Sequence, residues 1–239
     1  MNPPSIAMET LFKAPVGSLR RREGIPVFVE PEAVSGLNRK YRDLYDRFSP
    51  FYDLAQRLFY AFRGGEAAAR NLYLRELEIK PGDLVLEVSV GTGANLRFLP
   101  PTASYVGLDL SWGQLRQCRK MLQRTGRQAV LVQGLAEDLP FRDGLFDVVF
   151  HMGGINFLGD PGQAIREMIR VAKPGTKIVL VDETERLAQK AALLNPFFRH
   201  RDSVITAPVH LVPPGMEEVR ATEIRNGELW LLTFRTPRA

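Results

Sequence analysis

Val85-Leu86-Glu87-Val88-Ser89-Val90-Gly91-Thr92-Gly93-Ala94-Asn95-Leu96 is the stretch on which the reading of this chain turns. An apolar run holding one carboxylate leads into a glycine pair and then a helix-start pattern. Backbone N–H groups and the positive end of a helix are therefore expected to face a ligand. Alone, Gly-x-Gly fits a plain tight turn equally well. The neighbouring residues choose among ligands. A dinucleotide fingerprint needs a third glycine, and Leu96 stands in its place. Glu87, at the end of the strand, would repel a pyrophosphate but attract an ammonium group, and a misplaced unit charge in a poorly solvated cleft costs on the order of kcal/mol. The methionine part of S-adenosylmethionine carries such an ammonium, so these residues favour that cofactor over NAD.

Beyond the loop, short apolar runs alternate with helical stretches, the pattern of βαβ units around a parallel sheet. Strands are expected at Leu84–Val88 and at residues 105–108, 129–132, 146–150 and 177–181. Helices are expected to start near Ala94, Trp112, Asp160-Pro161 and Glu183, and Pro174-Gly175 ends the helix carrying Ile165 and Met168. The second strand ends at Asp109, where a carboxylate about twenty positions after the loop can accept both ribose hydroxyl hydrogens. Alternatively, Asp109 or Ser111 caps the following helix. Residues 218–225 and 228–235 flank Asn226-Gly227, a hairpin signal because both central residues need positive φ. The expected fold is α/β and Rossmann-like, with seven strands mostly parallel, one reversed strand from the C-terminal hairpin, and helices on both faces.

Upstream of the sheet the pattern changes. Residues 1–37 read as an irregular arm broken by Pro3, Pro4, Pro15, Pro26 and Pro31, with a short edge strand at residues 24–29. Residues 38–239 form the main domain, led by a helical cap over 38–78. In the cap, Tyr41, Leu44, Tyr45 and Phe48 make one helical stripe and Leu54, Leu58 and Phe62 another, punctuated by Pro50 and Gly64-Gly65. Tyr45 and Tyr52 either close over the cofactor as a lid or simply pack in the core. The arm is expected to be separable and free of metal.

These segments resemble class I methyltransferases, and within them the type 11 group around the ubiquinone and menaquinone C-methyltransferases. The resemblance covers about residues 41–181 and includes Tyr45-Asp46-Arg47-Phe48-Ser49-Pro50-Phe51-Tyr52-Asp53 and Ile169-Arg170-Val171-Ala172-Lys173-Pro174-Gly175. It implies that S-adenosylmethionine is held by Glu87, Ser89, Gly91, Thr92, Gly93, Asn95, Asp109 and Leu110, with Tyr45 and Tyr52 above. The family's first loop glycine is Ser89 here, a change expected to be tolerated if φ stays negative. Where the family often has Asp or Asn contacting adenine, this chain has Leu135, so that role moves to Glu137 and the Ala136 N–H. Separately, Gly24-Ile25-Pro26-Val27-Phe28 resembles the last strand of a zinc ribbon that precedes some rRNA guanine methyltransferases. That module needs four cysteines, and the arm has none.

His151, ending the fourth strand, is the candidate catalytic residue: it can act as base, cap the cofactor, or serve only as a hydrogen-bonding residue behind the site. Asn156 can orient a substrate or cap a turn. Phe197, Phe198, His200, His210 and Met216 can line an acceptor pocket, although the histidines also fit an ordinary surface. The chain has 239 residues, a formal charge of +5 and one cysteine, Cys118, which excludes an internal disulfide. No signal peptide or membrane span is read, so a cytoplasmic location is expected. The expected partner is a small-molecule acceptor. RNA methylation, from the basic balance and the zinc-ribbon likeness, and a catalytically silent cofactor- or partner-binding module are the rival readings. Oligomeric state is not legible.

Overall fold

The computed structural model describes residues 8–61, 65–194 and 205–238. Its arm holds α1 (Met8–Leu11) and two-residue strands β1 (Arg21–Arg22) and β2 (Ile25–Pro26). The cap holds α2 (Gly36–Ala61) and α3 (Glu66–Leu74). The main domain follows as β3 (Leu84–Val88), β4 (Ser104–Asp109), α4 (Trp112–Thr125), β5 (Val130–Gln133), β6 (Val148–Met152) and α5 (Pro161–Val171). It ends with β7 (Lys177–Glu183), α6 (Glu185–Leu194), β8 (Glu217–Ile224) and β9 (Leu229–Arg235).

Strands β3 to β9 form one seven-stranded sheet in the order β5-β4-β3-β6-β7-β9-β8. β3 to β7 run parallel, and β9 is antiparallel to both neighbours. The reversal comes from the Asn226-Gly227 turn, where φ is 56° and 75° and Glu228 N–H donates to Arg225 O at 3.2 Å. The strand order switches direction at β3, between β4 and β6, which opens a crevice at the carboxyl ends of these strands. Strand alternation sorts the side chains. Glu87, Gly107 and Phe150 share one face, and Val88, Leu108 and His151 the other. The first face packs on Tyr73 of α3 and Leu115, Cys118 and Met121 of α4. The second packs on Ala164, Ile165 and Met168 of α5.

Four expectations are corrected. No α-helix follows the glycine loop; Asn95–Arg97 is a single 3-10 turn, and Pro100-Pro101 prevents a longer one. The cap does not break at Pro50. The proline's missing N–H would have donated to Asp46 O, and Ser49 Oγ donates there instead at 3.2 Å, so α2 runs on. The Ser89 φ is not negative but +61°, because the chain must turn left-handed out of β3, which costs a non-glycine residue about 1–2 kcal/mol.

The arm, finally, is not separable. Leu11 and Phe12 are 0% exposed, Phe12 packs 5.7 Å from Phe141 ring to ring, and Lys13 N–H donates to Pro140 O at 3.0 Å. Val27 pairs with Gln133 in parallel, so the arm also covers the β5 edge, as Pro-bearing edge segments commonly do. Phe62, Gly64, Phe197, Phe198 and His200, named above, lie outside the described residues.

Candidate functional site

Glu87 ends β3 at the crevice, 2% exposed. Its Oε1 accepts from Asn95 Nδ2 at 2.6 Å, while Oε2 is buried without a hydrogen-bond partner. Burial pushes its carboxyl up to about 8, opposed by the Asn95 hydrogen bond and the Arg70 charge. Asn95 is itself held. Its Oδ1 accepts from Arg70 Nη1 at 2.6 Å and from Tyr73 Oη at 2.7 Å. Arg70, 1% exposed, is tied by Nε to Glu66 at 2.9 Å, and Glu66 also accepts from Arg97 at 2.7 Å. The chain Glu66–Arg70–Asn95 thus fixes the rotamer of Glu87 from behind. Both Asn95 ends are used, so its side chain positions the carboxylate. Sequence reading missed Arg70 and Tyr73, which sit on α3 at helical spacing and look like any amphipathic pair.

The loop after Glu87 is anchored across β4. Gly91 N–H donates to Asp109 Oδ2 at 2.8 Å, and Ser111 N–H donates to Oδ1 at 2.9 Å. Asp109 does not cap α4; Ser111 does, accepting from Gln114 N–H at 3.1 Å. Burial raises the Asp109 carboxyl to about 6, against the hydrogen bonds from the Ser111 and Gly91 N–H groups that lower it. Gly93 lies under α4, where a Cβ would meet Cys118 Sγ and Met121 Cε at 2.6 Å. Thr92 is 2% exposed in the same turn. Gln114, missed by the sequence reading, brings a buried unpartnered Oε1 to within 3.8 Å of where a Gly91 Cβ would stand. Leu110 follows Asp109 half-buried and accepts from Gln133 Nε2 at 3.0 Å through its carbonyl.

α2 crosses the carboxyl edge of the sheet. At its start Asn38 Nδ2 donates to Glu137 Oε1 at 2.9 Å, and the Tyr41 ring lies 4.1 Å from Phe157, in the loop after β6. Further along, Asp46 Oδ1 accepts from Ser111 Oγ at 2.5 Å and Gly113 N–H at 2.7 Å. A carboxylate at that helix start is favoured by the α4 dipole. The helix therefore bridges the loops on both sides of β3. Tyr45, half-buried, directly precedes Asp46; the Tyr52 side chain lies outside the described ones.

Glu137 also accepts from Gly159 N–H at 2.9 Å, so Oε1 ties the cap to the loop before α5 while Oε2 stays buried without a partner. Ala136 is 5% exposed beside it. His151 is 0% exposed, on the sheet face opposite Glu87. Its Nδ1 lies 3.1 Å from Val88 O, a carbonyl that can only accept, so Nδ1 carries the proton and Nε2 is a bare lone pair without a partner. Burial lowers its pKa to about 4. Asn156 donates to Asp182 Oδ2 at 3.3 Å, alongside Gly154 and Ile155 N–H at 3.0 Å. Asp182 organises this loop, and its role on a strand end was not legible in the sequence.

The arrangement fits S-adenosylmethionine. A buried carboxylate oxygen without a partner suits an ammonium, a second carboxylate lies one strand over on the same face, and the glycine loop leads into a 3-10 turn rather than the α-helix start that a pyrophosphate would want.

Residues 86–180 match the methyltransferase domain family of type 11. The demethylmenaquinone methyltransferase of Lactobacillus johnsonii is 30% identical over 60% of this chain and 60% of its own length. An uncharacterised methyltransferase of Synechocystis sp. is 38% identical over 55% of this chain and 61% of its own. The chain thus spans about 60% of these relatives' length. In fold, a SAM-dependent methyltransferase from Aquifex aeolicus matches with TM-score 0.51 at 18% identity, covering 68% of this chain and 86% of that one. The likeness to the type 11 methyltransferase domain thus lies in residues 86–180, the segment that holds the glycine loop, Asp109 and His151.

Proposed function

We propose that this chain is a class I methyltransferase of the type 11 kind and moves the methyl group of S-adenosylmethionine onto an apolar small molecule of the quinone kind. The observation that carries the cofactor half is the buried, unpartnered Glu87 Oε2 beside the glycine loop. The acceptor half is supported by relatives named demethylmenaquinone methyltransferase. The cofactor supplies a sulfonium whose methyl carbon passes in line to the acceptor's nucleophile while the sulfur takes the electrons of the broken bond.

Glu87 would hold the ammonium and Asp109 the ribose hydroxyls, with Ser89, Gly91, Thr92 and Gly93 shaping the loop around the methionine part. Ala136 and Glu137 would border the adenine, and Leu110 and Gln114 its far side. α2, with Tyr45 and Tyr52, would keep water from the methyl, leaving the protein mainly the work of alignment. His151, neutral and lodged under Val88 O, would serve as an acceptor behind the site rather than as a base. We place the activity in the cytoplasm; among the described residues no helix is long and apolar enough to cross a membrane.

The test is release of S-adenosylhomocysteine with quinols, thiols and structured RNA as acceptors. Turnover with quinols alone is expected. Turnover only with RNA, with salt-sensitive binding, overturns the acceptor assignment. Tight cofactor binding with no turnover on any acceptor makes the domain a silent binding module.

A further inference from the structure

α2 has a second face that the cleft does not use. Of the described large apolar side chains, Phe51 is the most exposed at 67%, and Phe48 and Leu37, also on α2, follow at 46% each. Leu37, Tyr41, Leu44, Phe48 and Phe51 are spaced by four and three residues, so they form one stripe along the helix. Tyr41 anchors the stripe's start on Phe157. The opposite side is the one locked down: Asp46 and Ser49 face Gly113, where a Cβ would meet Ser49 Oγ at 2.7 Å and Asp46 Cα at 2.9 Å. Beyond Tyr41, which packs on Phe157, the exposed Phe48 and Phe51 of the stripe therefore point away from the domain.

Two cations border it. Lys40 and Arg47 are exposed, and each stands three or four residues from Leu44. Among the described residues neither makes an ion pair, and Lys40 lies 5.7 Å from the Tyr41 ring. The acid on that side, Asp43, is neutralised by Arg42 at 2.8 Å. An apolar stripe edged by uncompensated cations, on a chain of formal charge +5, matches an anionic bilayer surface. A second copy would bring like charges together.

We propose that the outer face of α2 docks on an anionic membrane, Phe48 and Phe51 entering the headgroup boundary while Lys40 and Arg47 meet the lipid charges. In purpose the proposal rests on the reading of an apolar acceptor, since the helix that closes the cleft would then open it toward the phase where such an acceptor dissolves. Its test needs no acceptor.

The full chain is sedimented with vesicles of phosphatidylcholine alone and of phosphatidylcholine with phosphatidylglycerol. Binding to the anionic vesicles is expected, weakened by salt. It should fall about tenfold or more in Phe48→Ser/Phe51→Ser and, independently, in Lys40→Glu/Arg47→Glu, with thermal midpoints kept near wild type because all four side chains are exposed. Absence of wild-type binding, or both variants binding as wild type does, overturns it. So does a concentration-dependent dimer lost in Phe48→Ser/Phe51→Ser without vesicle binding, which would make the face a contact between copies. Failure of the quinol assay leaves the vesicle result standing, and the reverse holds too.

Discussion

Asn95 donates to one oxygen of Glu87 at 2.6 Å and leaves the other buried without a partner. A half-satisfied buried carboxylate is costly when ionised, so without ligand the folded protein favours the protonated form, up to about pH 8. The folded value lies above the usual 4.5. This group's contribution to stability is therefore complete below about pH 4.5 and lost as pH rises toward 8. Glu87→Gln should flatten that fall, by on the order of a few kcal/mol at pH 8, while weakening S-adenosylmethionine about ten- to hundredfold. Thermal midpoints of both proteins across pH, without cofactor, check the first part; identical profiles would place the titration elsewhere.

Asp109 holds the loop by two backbone hydrogen bonds and has its carboxyl raised to about 6. Asp109→Ala should weaken cofactor binding by about 1.5–3 kcal/mol. In the wild type, affinity should drop as pH falls through about 6, because the protonated acid loses acceptor capacity. Calorimetry that finds affinity unchanged in the variant would reduce Asp109 to a tie for the loop.

At Gly113 α4 lies directly against α2, with no room for a Cβ. Gly113→Ala would push against backbone at 2.9 Å, and overpacking of this kind costs about 1–3 kcal/mol. The cap should loosen first, seen as faster protease cleavage within α2 and weaker cofactor binding. Wild-type cleavage and affinity would mean that the cap is not held through this contact.

Phe12 belongs to the main core although it comes from the arm. Phe12→Ala should cost about 3–5 kcal/mol, and removing residues 1–34 should cost more. Denaturant melts measure both. A truncated chain as stable as the whole would restore the arm to an independent appendage.

The sheet was legible from the sequence because strand and turn signals are local: β3 was expected at Leu84–Val88 and lies there, and Asn226-Gly227 turns as its φ requirements demand. That Glu87 and Asp109 stand at the crevice was legible because each lies at the end of a strand at the switch point. What surrounds them was not. The tie from Glu66 through Arg70 to Asn95, the docking of Asp46 on the start of α4, and the burial of Phe12 all join residues far apart in the chain. The same holds for details that looked local. Pro50 does not end its helix because Ser49 supplies the missing donor while α4 packs against Asp46 and Ser49 just before it, and Ser89 accepts a left-handed turn in a loop pinned across β4. Periodicity and residue chemistry determined which strands form and which acids stand at the crevice; only the packing of distant segments decided which of those groups are satisfied and which are left without a partner.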